Sequence, residues 1–254
     1  MELKAVRGWM PDGLRRLGET VLQTVFPPRC IACGEAVGSD FGLCGPCWRE
    51  TSFLTGLVCD CCGAPLPGED TGAVLCDECL STPRPWVQGR AAFLYAGTGR
   101  RLVLAFKHSD RLDLARPLGR FLHRAALPIL RPGMLLAPVP LHRFRLVKRQ
   151  YNQSALLARE LARLAHLPHQ PDLFTRSRAT PSQEGLSRED RLRNLAGAIV
   201  VAPRHREKLA GRHVLIVDDV LTSGATLGAA AEAALAAGAA QVSVLALARV
   251  AKEV

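Results

Sequence analysis

Aromatic residues are scarce in this sequence, at 5% of 254 residues. That poverty argues against a base-stacking platform for nucleic acid, which needs ring faces for successive bases. It leaves Leu, Val and Ala to fill a core that a 48% hydrophobic share makes large. Long apolar runs are missing too. No stretch approaches the ~20 residues of a membrane span, and Met1 to Leu22 lacks the apolar heart of a secretory leader. These absences predict a cytoplasmic chain with no membrane span, a setting that disfavours disulfides. Acidic excess is also absent: 33 Lys and Arg stand against 23 Asp and Glu, a net charge of +10. A basic chain attracts nucleotides, phosphosugars and nucleic acids without choosing among them. A genome that favours Arg codons accounts for the excess equally well.

Cysteine, by contrast, is abundant. Eight of nine fall in four Cys-x-x-Cys pairs: Cys30/Cys33, Cys44/Cys47, Cys59/Cys62 and Cys76/Cys79. Two residues between thiolates let one tight turn present both sulfurs to a single ion. Gly34 and Gly63 follow two of the pairs, where a left-handed backbone would complete such a knuckle. Eight ligands suffice for two tetrahedral zinc sites, and the arrangement resembles a double zinc ribbon. The gaps favour sequential sites, the first two pairs on one ion and the last two on the other. A cross-braced pairing, first with third and second with fourth, stays open. Cys61 is the odd residue, either a spare buried thiol or a ligand in place of Cys59. Both sets look closed, with no position for a catalytic water, so the metal reads as a structural staple. An iron–sulfur cluster is the weaker alternative for the metal, and recognition of nucleic acid or a partner is the functional alternative for the module.

Three segments follow from composition: an amphipathic helix within residues 1–28, the cysteine-rich module at 29–82, and an α/β domain at 88–254. In the first, Leu14, Leu17, Val21, Leu22 and Val25 recur at helical spacing until Pro27 and Pro28 stop the helix. Packing on the zinc module explains that stripe better than a membrane surface does. In the last, strands are predicted at 91–96, 135–139, 173–176, 198–201, 214–217 and 242–248. Helices are predicted at 100–107, 114–130 with a bend near Pro117, 154–165, 188–194 and 225–237. Strands alternating with helices predict a mainly parallel sheet.

The most informative stretch runs from Val214 to Thr226. An apolar strand leads into Asp218-Asp219, and small polar residues Thr222, Ser223, Gly224, Ala225 and Thr226 open a helix. Backbone N–H groups there can wrap a phosphate at the helix N-terminus, and Gly224 permits close approach. Such a ligand lies beyond the carboxyl end of its strand. The acid pair suits ribose hydroxyls, directly or through metal-bound water. The stretch resembles the 5-phosphoribosyl 1-diphosphate (PRPP) motif of type I phosphoribosyltransferases. The resemblance implies that Asp218 and Asp219 bind the ribose 2- and 3-hydroxyls and that residues 222–226 hold the 5-phosphate. Thr222 stands where purine-salvage members commonly carry an Asp base, which weakens a 6-oxopurine assignment.

Two further loops agree. Leu135 to Pro140 opens a basic loop with Arg143, Arg145, Lys148 and Arg149, chemistry suited to diphosphate. Arg149-Gln150-Tyr151-Asn152-Gln153 resembles the Arg-Gly-Phe-Asn-Gln signature of the ComF/GntX family, departing from it at Gln150. Arg176 to Gln183, with Leu186, Ser187, Arg191 and Asn194, resembles that family's second signature, in the position of a mobile loop. Phe106-Lys107-His108 also sits where the family often has a lysine.

The resemblance implies a type I phosphoribosyltransferase fold behind a double zinc ribbon. Asp218, Asp219, Lys148 and Arg149 become the catalytic candidates. Residues 222–226, Asn152, Gln153, Thr180 and Gln183 become further PRPP contacts, with Mg²⁺ accompanying the diphosphate and zinc at the two cysteine sites. The expected activity is Mg-dependent phosphoribosyl transfer to an unknown acceptor, linked by resemblance to DNA uptake in competence near a helicase-like partner. The alternative is a non-catalytic PRPP sensor that binds single-stranded DNA or a protein.

Overall fold

The computed structural model describes residues 27–40, 42–69, 72–108, 111–141, 151–178, 188–195 and 197–250. The N-terminal amphipathic helix expected within residues 1–28 has its stripe, from Leu14 to Val25, outside them. By packing, the chain divides into residues 1–49 and residues 50–254.

In the first unit a tight turn after Cys30 closes through the Gly34 N–H, which donates to Cys30 O at 2.9 Å. The short helix Gly45–Glu50 carries Cys47 inward. In the second unit the same turn recurs: Gly63 N–H donates to Cys59 O at 2.8 Å. Gly34 and Gly63 hold φ of 80° and 67°, the left-handed backbone that the sequence predicts at both knuckles.

The second unit is built on four parallel strands in the order β1 (Gln88–Leu94), β6 (Gln241–Arg249), β5 (His213–Leu221), β2 (Leu135–Pro138). A separate antiparallel pair joins β3 (Phe174–Arg176) to β4 (Ile199–Val201). Helices Gly97–His108, Ala115–Ala126 and Gln153–Ala165 pack against the sheet, as does Ala225–Ala236. Central strands buried on both faces lose the alternation of a half-exposed strand. Val214 to Val217 and Val242 to Ala248 are all buried accordingly. One continuous cluster joins Val214, Ile216, Val244 and Ala246 of the sheet to Leu227, Ala230 and Ala234 of the last helix. The same cluster takes in Trp86 and the second knuckle through Cys59, Cys61, Cys62 and Cys79.

Several boundaries shift for identifiable reasons. β5 runs through Asp218 to Leu221 rather than stopping at Val217, because β6 offers it a partner up to Leu221↔Arg249. β1 starts at Gln88, where pairing with Ser243 begins. The helix expected over 114–130 spans Ala115–Ala126. Pro117 lies in its first turn, where a missing N–H costs nothing, so proline begins the helix there instead of bending it.

Candidate functional site

The carboxyl end of β5 and the loop after it form a concavity lined by Asp218, Leu221, Thr222, Ser223, Gly224, Ala225 and Thr226. Two acids in succession on a strand point to opposite sides. Asp218 is 8% exposed, and its Oδ1 accepts from Ser154 Oγ at 3.0 Å and from the Asp219 N–H at 2.8 Å. Asp219 turns to Lys107, whose Nζ lies 3.4 Å from its Oδ2. Burial first, then the charge of Asp219, pushes the Asp218 carboxyl up to about 8; the two hydrogen bonds and the Lys107 ammonium pull the other way.

Gly224 caps the last helix with φ 81°. A side chain there would meet Trp86 Cη2 at 3.0 Å and Arg84 Nη1 at 3.1 Å, so both conformation and space call for glycine. The first turn of a helix leaves its N–H groups without helical partners and carries positive partial charge. Here that turn opens beside the acid pair, an arrangement able to hold an anion and hydroxyls at once.

Asn152 and Gln153 stand at the start of the helix that carries Ser154. Asn152 Oδ1 accepts from the Ser154 N–H at 3.0 Å, and its Nδ2 donates to Val139 O at 2.9 Å. Gln153, 2% exposed, donates to Lys107 O at 3.3 Å. Both amides are thus engaged with backbone and fix the ends of β2 and of the helix that ends at His108. Lys148, Arg149, Thr180 and Gln183 lie outside the described residues, as does the basic loop around Arg143 and Arg145. Ser154 had no signal of its own in the sequence beyond its place after Asn152-Gln153. Lys107 had one, the Phe-Lys-His stretch.

A larger cavity, about 320 Å³, lies between β4 and the last helix, lined by Ile199, Val201, Ala229, Ala233, Arg206 and Glu232. It is lined mostly by aliphatic side chains and has no acid pair beside a helix N-terminus, so the smaller concavity is the candidate site.

The cysteines gather into two sets, Cys30, Cys33, Cys44 and Cys47, and Cys59, Cys62, Cys76 and Cys79, each with all sulfurs within 4.8 Å of one another. The sequential pairing is therefore the one formed. Cys33 and Cys44 Sγ stand 3.6 Å apart, and Cys62 and Cys76 Sγ 3.7 Å. A zinc tetrahedron with Zn–S near 2.3 Å has an edge of about 3.8 Å, so both sets fit zinc. A hydrogen bond from Cys62 holds the Cys59 thiol down to about 4, while burial pushes Cys79 up to about 12. As zinc ligands all four would be thiolates, with the cation offsetting their mutual repulsion. Cys61 is outside the set; burial pushes its thiol up, and it stays a buried spare.

Residues 21–82 match the double zinc ribbon domain and residues 152–253 the phosphoribosyl transferase domain. The DNA utilization protein YhgH of Escherichia coli K12 is 36% identical over 229 residues, covering 88% of this chain and 97% of that protein. Competence protein F of Haemophilus influenzae is 31% identical over 234 residues, covering 90% and 100%. Competence protein ComFC of Bacillus subtilis is 25% identical over 206 residues, covering 78% and 80%. With two four-cysteine zinc sites, a parallel sheet of type I phosphoribosyltransferase kind and relatives matched along nearly their whole length, the chain belongs to the ComF/GntX family.

Proposed function

We propose that the second unit binds PRPP with Mg²⁺ at the carboxyl end of β5. The observation that carries this is the juxtaposition of a buried, hydrogen-bonded Asp218 with the Gly224 turn into the helix Ala225–Ala236. The loop takes the 5-phosphate, and the acid pair takes the ribose hydroxyls or the cation's water shell. Mg²⁺ bound with the diphosphate supplies positive charge and oxygen-directed geometry. Ser154 orients Asp218, Lys107 holds Asp219, and Asn152 and Gln153 keep those two supports in place. Lys148 and Arg149 are proposed to face the diphosphate, and Thr180 and Gln183 to close over the ligand. Transfer, where it occurs, is attack of an acceptor on ribose C1 as diphosphate leaves. The chain's share is positioning and neutralising the leaving charge.

Titration calorimetry with PRPP and Mg²⁺ tests binding, and diphosphate release with a panel of bases and amines tests transfer. The double variant Asp218→Asn plus Asp219→Asn should lose PRPP binding; wild-type affinity in that variant overturns the assignment.

A second reading concerns DNA. The curated relatives are named for DNA utilization and competence, and the chain carries a net charge of +10. Handling of single-stranded DNA through phosphate contacts fits both; a competence helicase as partner rests on the family resemblance alone. Among the described residues no helix is long and apolar enough to cross a membrane. Low aromatic content predicts weak base preference and steep salt dependence.

A further inference from the structure

The back of the phosphate loop is tied to the second cysteine set by three side chains. Arg249, 5% exposed at the end of β6, donates from Nη1 to Leu221 O at 3.2 Å and to Thr222 O at 2.9 Å, and also to Val250 O. Its Nη2 reaches Cys62 Sγ at 3.9 Å. Arg84 donates from Nη1 to Ser223 O at 2.7 Å and from Nη2 to Glu78 Oε1 at 2.6 Å, on the short helix that carries Cys79. Trp86 donates from Nε1 to Cys61 O at 2.6 Å, and its ring lies against Gly224. Three consecutive loop carbonyls, those of Leu221, Thr222 and Ser223, are thus pinned from behind. Each tether ends on the knuckle formed by Cys59 to Cys79.

A buried guanidinium is costly unless a counter-charge meets it. Among the described residues no carboxylate pairs with Arg249; its partners are three carbonyls and the Cys62 sulfur. Four cysteine sulfurs around one Zn²⁺ would carry a net charge of −2, so a loaded site would set a counter-charge beside the guanidinium, at the 3.9 Å from Nη2 to Cys62 Sγ. Pinning the carbonyls fixes which way the peptide units face, and with them the N–H groups on the opposite side of each trans peptide.

We propose that the second zinc site positions the phosphate loop through Arg249, supported by Arg84 and Trp86, so that metal occupancy there sets the loop's order and its affinity for a phosphate ester. The affinity half of this rests on the PRPP reading above; the loop-order half does not. Arg249 and Arg84 are positioning residues, since they touch the loop's back and not its ligand.

The test uses the full chain as wild type, Cys62→Ser and Arg249→Met. It measures zinc content, amide exchange of residues 221–226 by mass spectrometry, and PRPP·Mg affinity by calorimetry. Cys62→Ser should lose one zinc, exchange the loop about tenfold faster and bind PRPP about tenfold more weakly, the weight of one charge-assisted hydrogen bond. Arg249→Met should keep both zincs and show the same loop loosening, with β2 exchanging as before. Unchanged loop exchange in Arg249→Met overturns the coupling, as does unchanged exchange in a folded Cys62→Ser. If Cys62→Ser does not fold, wild type partly stripped of zinc by a chelator takes its place: faster exchange of residues 221–226 supports the metal's part and unchanged exchange overturns it, while the zinc-loaded Arg249→Met decides the arginine's part. If wild type binds no PRPP, the ligand reading fails while the exchange measurements still decide the coupling.

Discussion

Asp218 gives the sharpest expectation, because burial and then the charge of Asp219 push its carboxyl up to about 8, well above the usual carboxylate range. An unfolded aspartate loses its proton near pH ~3.9. In the native chain burial and Asp219 keep the proton on until about 8. Between these values the native state binds the proton that the unfolded state has released. Stability therefore falls as pH rises through this window, and the term is flat below and above it. The slope is at most ~1.4 kcal/mol per pH unit, or ~2.7 kcal/mol between pH 5 and 7. Asp218→Asn removes the titration while its amide oxygen can still accept from Ser154 Oγ and the Asp219 N–H. Urea unfolding of wild type and variant at several pH values, read through fluorescence with Trp86 buried in the same core, measures the difference. Histidine and thiol titrations are common to both chains and cancel. The variant should gain on wild type steadily from pH 5 to 8 in the absence of ligand. Two stability profiles that run parallel would refute the burial argument.

Other expectations are more direct. Lys107→Met removes a charge that lowers the Asp218 pKa, so PRPP·Mg binding that needs the ionised carboxylate should weaken about tenfold at neutral pH and recover at higher pH, as calorimetry from about pH 6.5 to 8.5 would show. Gly224→Ala should cost about 1–2 kcal/mol for the left-handed backbone, more with the displaced Trp86 ring, and should abolish phosphate binding; wild-type thermal stability would contradict it. Elemental analysis of freshly purified protein should find two zinc per chain, and a count of one or none would sink the two-site assignment. Single-stranded DNA binding, if present, should fall steeply from low to physiological salt in a filter or anisotropy assay, and salt-independent binding would exclude phosphate contact as its basis.

Local chemistry was legible in the sequence, and its long-range supports were not. The Cys-x-x-Cys pairs, the two knuckle glycines and the strand–acid–loop–helix order are local patterns set by backbone geometry, and each appears as expected. The choice between sequential and cross-braced metal sites depends on which turns face each other, and spacing alone could not decide it. Which acid is buried was equally hidden. Asp218 and Asp219 are adjacent and identical in type, and only continuation of β5 along β6 sends one to Ser154 and the other to Lys107. No local pattern in the sequence marks Arg249, the base that ends an Ala- and Leu-rich strand. Its burial follows from contacts with Cys62 and Leu221, which no local window contains.

The scarcity of aromatics takes on a physical meaning once the core is seen. The helix Ala225–Ala236 carries alanine at most of its inward positions, including Ala225, Ala230, Ala231 and Ala234, so its axis can approach the sheet closely. The short connection from Thr222 to Gly224 places the N-terminus of that helix at the end of β5, where the acid pair stands. The alanine face of that helix buries less apolar area per residue than a face of leucines or rings would. In the second unit part of the missing area is supplied by the knuckle itself, whose Cys59, Cys61, Cys62 and Cys79 share one cluster with Val244, Ala246 and Leu227. Zinc binding there contributes to folding the same core that places the phosphate loop. Stability and ligand geometry are then two consequences of one site, which is why loop exchange in a zinc-loaded Arg249→Met chain is needed to separate them.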